Sequence, residues 1–127
     1  MIRISLAALA LATTIASPAI GQRQAAMNAD AAAAWKTADA QMTRQWQRSY
    51  AFMKRRDAQD SSRGGGFGYA PALLASQRAW LTFRDRQCVI EGGEFAGGSM
   101  QPMARAQCLT QLTRERTAQL AKLIWNR

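Results

Sequence analysis

The groups that could do chemistry are few, and their arrangement excludes more than it allows. The 127 residues contain no histidine. The usual general base, the commonest metal ligand and the partner of a serine or cysteine nucleophile are therefore missing. Cys88 and Cys108 are the two cysteines. They lack the Cys-x-x-Cys spacing of a redox pair, and two thiols without histidine make a poor metal site. An even count suits a disulfide in an oxidising compartment. Eight acids leave a carboxylate pair for glycoside hydrolysis conceivable. However, Asp57, Asp60, Glu91 and Glu94 fall in or beside glycine-rich connections, and Asp39 and Asp85 have arginines nearby. Gly64-Gly65-Gly66 lacks the Gly-Lys-Ser/Thr ending of a phosphate loop and follows no strand pattern. No catalytic residue, metal or cofactor is expected, and the chain does not read as an enzyme.

The elements that position these residues begin after a leader. Arg3 supplies a positive start, Ile4 to Ile15 is apolar or small and uncharged, and Ala19-Ile20-Gly21 places small residues where a signal peptidase reads. Residues 1–21 are expected to be a signal peptide, cleaved after Gly21, with Ala19 as the alternative site. The apolar run is shorter than the ~20 residues a membrane span needs, so no transmembrane span is expected. Residues 22–28 are polar and expected to be flexible. Residues 29–127 form the expected helical domain.

Within that domain, three segments carry the spacing of amphipathic helices. The first runs from Ala29 to about Arg56, with Asn28 as N-cap and Trp35, Ala38, Met42, Trp46, Tyr50 and Met53 on one face. The second spans about Pro71 to Glu91, with Leu73, Leu74, Gln77, Trp80, Leu81, Arg84 and Cys88 inward and Gly92 as its stop. The third starts near Ser99 to Met103, reaches about Trp125, and repeats Leu109, Leu112, Arg116, Leu120 and Leu123. Glycine-rich connections, 57–69 and 91–99, join them. No strand pattern is present. The expected fold is all-α, a small antiparallel three-helix bundle with one disulfide. A Cys88–Cys108 bridge would staple the second and third helices across the second connection.

The most distinctive string is Gln77-x-x-Trp80-Leu81-x-Phe83-Arg84-Asp85-x-x-Cys88, continued by Cys108-Leu109-Thr110 and Arg116. Gln77 and Arg84 lie among apolar neighbours and need partners if buried. Asp39 is expected to pair with Arg84 or Arg116, and Trp80 is expected to be packed in the core. The string, the glycine-rich gap after it and the Ala-Asp segment near Asp39 resemble the LprI-like lysozyme-inhibitor family from about Ala33 to Leu123. The resemblance implies a small helical protein, periplasmic or secreted, with disulfides, that inhibits lysozyme. Family members often carry further cysteines near the start of the domain. This chain has none there, so its first helix is expected to be held by Trp35, Met42, Trp46 and Met53.

Charge is the last sequence-level constraint. Seventeen Lys and Arg against eight Asp and Glu give +9. Residues 22–56 carry seven cations and two acids, residues 57–98 four and five, and residues 99–127 five and one. Such charge alone would suit nucleic acid, but an exported chain does not meet it. The expected function is an exported lysozyme-inhibitor-like binding protein of the cell envelope, with a muramidase as partner. The alternative is a basic helical module that binds anionic envelope surfaces or polymers without inhibiting anything. The candidate contact residues are Arg63 on the first connection, for a carboxylate-lined cleft, and Glu91 and Glu94 on the second, for a cationic rim.

Overall fold

The computed structural model describes residues 18–125. Three helices make up nearly all of it: α1 (Pro18–Gln59), α2 (Tyr69–Gly93) and α3 (Gln101–Lys122). A single 3-10 turn, Ser62–Gly64, lies in the first connection. No strand occurs among the described residues. Contacts between α1 and α2 descend one helix as they ascend the other: Asp39 with Arg84, Met42 with Gln77, Asp57 with Tyr69. Contacts of α1 with α3 and the residues leading into it rise together, Asn28 with Ser99 and Ser49 with Leu120.

The first helix differs most from its expected bounds. Residues 22–28 are helical rather than flexible, and Asn28 lies within α1 instead of capping it. Polar residues there are still good helix formers, and no Gly or Pro interrupts them after Gly21. The Asn28 side chain accepts a hydrogen bond from Gln24 and donates one to the Ser99 carbonyl, each at 3.0 Å. The expected leader lies outside the described residues except for its last four, which begin α1. At 42 residues, α1 is about 63 Å long at 1.5 Å per residue.

Gly92 does not stop α2, which continues through Gly93. It is buried, and a Cβ there would lie 3.1 Å from the Arg105 Cβ. Its role is to let α2 and α3 approach closely. Pro71 and Pro102 both sit in first turns, where a missing N–H costs no helical hydrogen bond.

The interior has two apolar clusters. Met42, Met53, Ala70, Leu73 and Leu120 form the larger one, with Trp46, Tyr50, Tyr69, Trp80 and Trp125 packed around it. Cys88, Cys108 and Leu109 form the smaller, with Trp35 and Leu112 against it. Cys88 and Cys108 are bonded, with Cα atoms 5.5 Å apart. Ser49 on α1 and Thr113 on α3 are fully buried. Ser49 Oγ donates to the Leu120 carbonyl at 2.8 Å, joining the Leu123 N–H that bonds the same oxygen at the end of α3.

Candidate functional site

Apart from Arg63, the residues singled out in the sequence fall into two groups at different levels of the bundle. The first is a polar cluster between the helices. Arg84, only 6% exposed, comes from the inward face of α2. Its Nη1 donates to Asp39 Oδ1 on α1 at 2.9 Å and to Thr113 Oγ1 on α3 at 3.3 Å, and its Nε donates to Asp85 Oδ1 at 2.9 Å. One guanidinium thus ties all three helices. Asp39 therefore meets Arg84 and not Arg116.

Arg116 occupies a different environment. Its Nε donates to Gln77 Oε1 at 2.9 Å, and its other nitrogens reach Ser76 Oγ and Gln119 Oε1. These partners are neutral, and partial burial pushes its pKa below the ordinary arginine value. The sign means that charging costs the folded state something. Arginine remains protonated across ordinary pH, so the cost is constant rather than pH-dependent. Gln77 also donates to Met42 Sδ at 3.7 Å, so neither end of its amide is left open. Trp80 is half-buried rather than enclosed, with Arg84 5.3 Å and Arg116 5.7 Å from its ring centre. Its ring is a platform for two cations as well as a packing group.

The second group is the disulfide end. Glu91 is in the last turn of α2 and accepts from Gln87 at 3.3 Å. Glu94 follows the helix. The connection then winds through successive turns: Phe95 N to Gly92 O, Ala96 N to Gly93 O, Gly98 N to Phe95 O and Gln101 N to Gly98 O. Gln101 Oε1 also accepts from Gly97 N. The loop is built, not slack. Glu91, Glu94 and Phe95 line a shallow groove of about 380 Å³ with Ala104, Gln107 and Gln111 of α3.

The first connection is organised by two carboxylates. Asp57 accepts from Tyr69 N at 2.7 Å and from Ala70 N at 2.8 Å, capping α2 from the end of α1. Asp60 accepts from Ser62 N, Ser62 Oγ and Phe67 N. Gly66, at φ 88°, passes so close that a Cβ would sit 2.9 Å from the Asp60 carbonyl oxygen. The Arg63 side chain lies outside the described residues.

Compared with known proteins, residues 16–120 match the family described as Lysozyme inhibitor LprI. The chain belongs to the LprI lysozyme-inhibitor family. It is also 38% identical over 91 residues to an uncharacterised protein of Rhizobium meliloti (strain 1021), which covers 71% of this chain. This chain spans 66% of that relative's length. No solved structure matches.

In this LprI-family chain the string from Gln77 to Cys88 is mainly architectural. Its inward residues tie helices, and they present no open acid–base pair. Among the described residues no group of three or more metal-ligating side chains comes together, and no helix is long and apolar enough to cross a membrane. Sequence reasoning missed the capping role of Asp57, because its partners lie 12 and 13 residues away. It also missed the outer face of α2. Phe83, Val89 and Ile90 remain more than half exposed. The signal was available: Val89-Ile90 continues an apolar run beyond the inward stripe, leaving α2 without a consistently polar side.

Proposed function

We propose that this protein is an exported inhibitor that binds a muramidase with the disulfide end of its bundle. The single observation that carries the reading is where its apolar surface lies. Five of the nine exposed large hydrophobic side chains fall between residues 83 and 100: Phe83, Val89, Ile90, Phe95 and Met100. Most of that surface belongs to residues 57–98, the stretch in which acids outnumber cations. The exported protein, without Arg3, carries +8 and is repelled at a distance by a cationic muramidase, so its contact must come from local complementarity. Glu91 and Glu94 supply negative charge there, and Phe95 supplies an apolar anchor between them and α3.

Preorganisation supports the same end. The turns from Gly92 to Gln101 and the Cys88–Cys108 bond fix the loop before any partner arrives, which lowers the ordering cost of binding. Export is supported by the leader pattern of residues 1–21 and by the disulfide. The exported protein is expected to begin at Gln22.

The test is a cell-wall clearing assay with several lysozyme classes at physiological salt. The mature protein should slow at least one class. Glu91→Gln with Glu94→Gln, or Phe95→Ala, should abolish the slowing without changing helicity by circular dichroism. No slowing and no binding to any class would overturn the function. Slowing that is indifferent to all three substitutions would overturn the surface.

A further inference from the structure

The opposite end of the bundle carries a second surface that inhibition does not use. Arg44, Arg48 and Arg55 of α1 line a groove of about 560 Å³ with Gln47, Ala51 and Ile124, the last just beyond α3. The outer two arginines are eleven residues apart, about 16 Å along the helix. None has an ion-pair partner among the described residues, where the ion pairs belong to Arg84. Like charges four residues apart, as at Arg44 and Arg48, weaken a helix slightly, so nothing in the fold calls for them. The acids at this end are already engaged. Both oxygens of Asp57 accept α2 amides, and Asp60 holds the first connection. Neither forms an ion pair with these three arginines among the described residues.

The chemistry beside the groove selects among anionic partners. Arg56 lies 5.0 Å from the ring centres of both Tyr69 and Trp125, and Phe67 packs on Tyr69 with ring centres 4.7 Å apart. Phe67 is 54% exposed, Ile124 is 38% exposed, and Lys54 and Lys122 are exposed as well. Cations interleaved with exposed aliphatic and amphipathic aromatic side chains match the headgroup layer of a bilayer, where such rings settle and basic residues meet lipid phosphates. A soluble polyanion would use the arginines but gain nothing from the exposed aliphatic Ile124.

We propose that the Arg44–Arg48–Arg55 groove and the adjoining Phe67–Trp125 end dock on an anionic phospholipid surface. The disulfide end lies apart from it along the bundle. Residue 28 of α1 lies at that far end, about 40 Å along the helix from residue 55. This surface is independent of the muramidase reading, and either can fail alone.

The experiment is flotation of the mature protein with vesicles of phosphatidylcholine containing about 30 mol% phosphatidylglycerol, against pure phosphatidylcholine. Binding should require the anionic lipid and be released by about 1 M salt. Arg44→Gln, Arg48→Gln and Arg55→Gln together should lower partitioning about a hundredfold, from three lost basic contacts at the surface. Each single substitution should give part of that loss, which keeps the test sound if the triple variant is unstable. Arg23→Gln, Lys36→Gln and Arg105→Gln remove the same charge from the other half and should change partitioning by less than roughly threefold, given the short screening length. Equal losses in both triples would reduce the effect to net charge and overturn the proposal. Capture by soluble polyphosphate without flotation on anionic vesicles would overturn it in favour of a polymer.

Discussion

Arg84 is the group on which the three helices converge, so the coupling between Arg84 and Asp39 should be measurable. Their side chains are 7% and 43% exposed, with 2.9 Å between Nη1 and Oδ1. A fully buried pair loses about 3–5 kcal/mol when one partner is removed, whereas an exposed pair is worth about 0–1 kcal/mol. This pair lies between, because the cation is dry and the carboxylate is half wet. Asp39→Ala leaves Arg84 with Asp85, whose Oδ1 is also 2.9 Å away. The expected cost is therefore about 1–2 kcal/mol, discounted from the buried limit. Arg84→Met keeps most of the volume under Trp80 and returns both carboxylates to water. It leaves the buried Thr113 hydroxyl without the guanidinium, a loss of about 1–2 kcal/mol. That loss is common to both arms of a double-mutant cycle and cancels. The cycle over Asp39→Ala and Arg84→Met, followed by urea unfolding, should return a coupling of about 1 kcal/mol. Salt should weaken it only in part, since one partner is shielded from ions. A coupling within about 0.3 kcal/mol of zero would refute the reasoning, since additive effects mark independent sites.

Three further outcomes follow from the geometry. Cys88→Ala with Cys108→Ala opens a loop of sequence separation 20 and should cost about 3 kcal/mol, or roughly 15 °C in thermal midpoint; reduction of the wild type should reproduce most of the shift. Asp57→Ala should cost about 1–2 kcal/mol by uncapping two α2 amides, and Asp57→Asn, which can still accept, should recover part of it in thermal melts. Trp35 Nε1 is buried without an acceptor. Trp35→Phe removes an unsatisfied donor worth about 1–3 kcal/mol, so its net destabilisation by calorimetry should stay below about 1 kcal/mol despite the smaller ring.

Much of the helical plan can be read directly from spacing. Apolar residues three and four apart require stripes that bury against one another, and Pro71 and Pro102 mark where α2 and α3 begin because proline is tolerated only in a first turn. Helix bounds were less legible at the N-terminus. Polarity at 22–28 looks like fraying, yet helix formation depends on backbone propensity and continuity rather than on hydropathy. The two cysteines declared their bond through count and compartment, a constraint that needs no coordinates.

What spacing could not decide was how groups from different helices meet. Asp39 had two arginines within reach of a sequence argument. Only the relative rotation and height of the helices gave it Arg84 and left Arg116 to Gln77 and Ser76. Ser49 and Thr113 look like surface hydroxyls in the sequence but are fully buried, because close helix approach selects small side chains whatever their polarity. Gly92 reads as a helix stop and serves as a contact point, since a stop and a close approach both favour a residue without Cβ. Local sequence determines which segments are helices and which side of each is apolar. Tertiary packing alone decides which polar atoms find partners and which apolar ones, such as Phe83 and Ile90, stay in water, because those outcomes depend on distances between segments that no local pattern encodes.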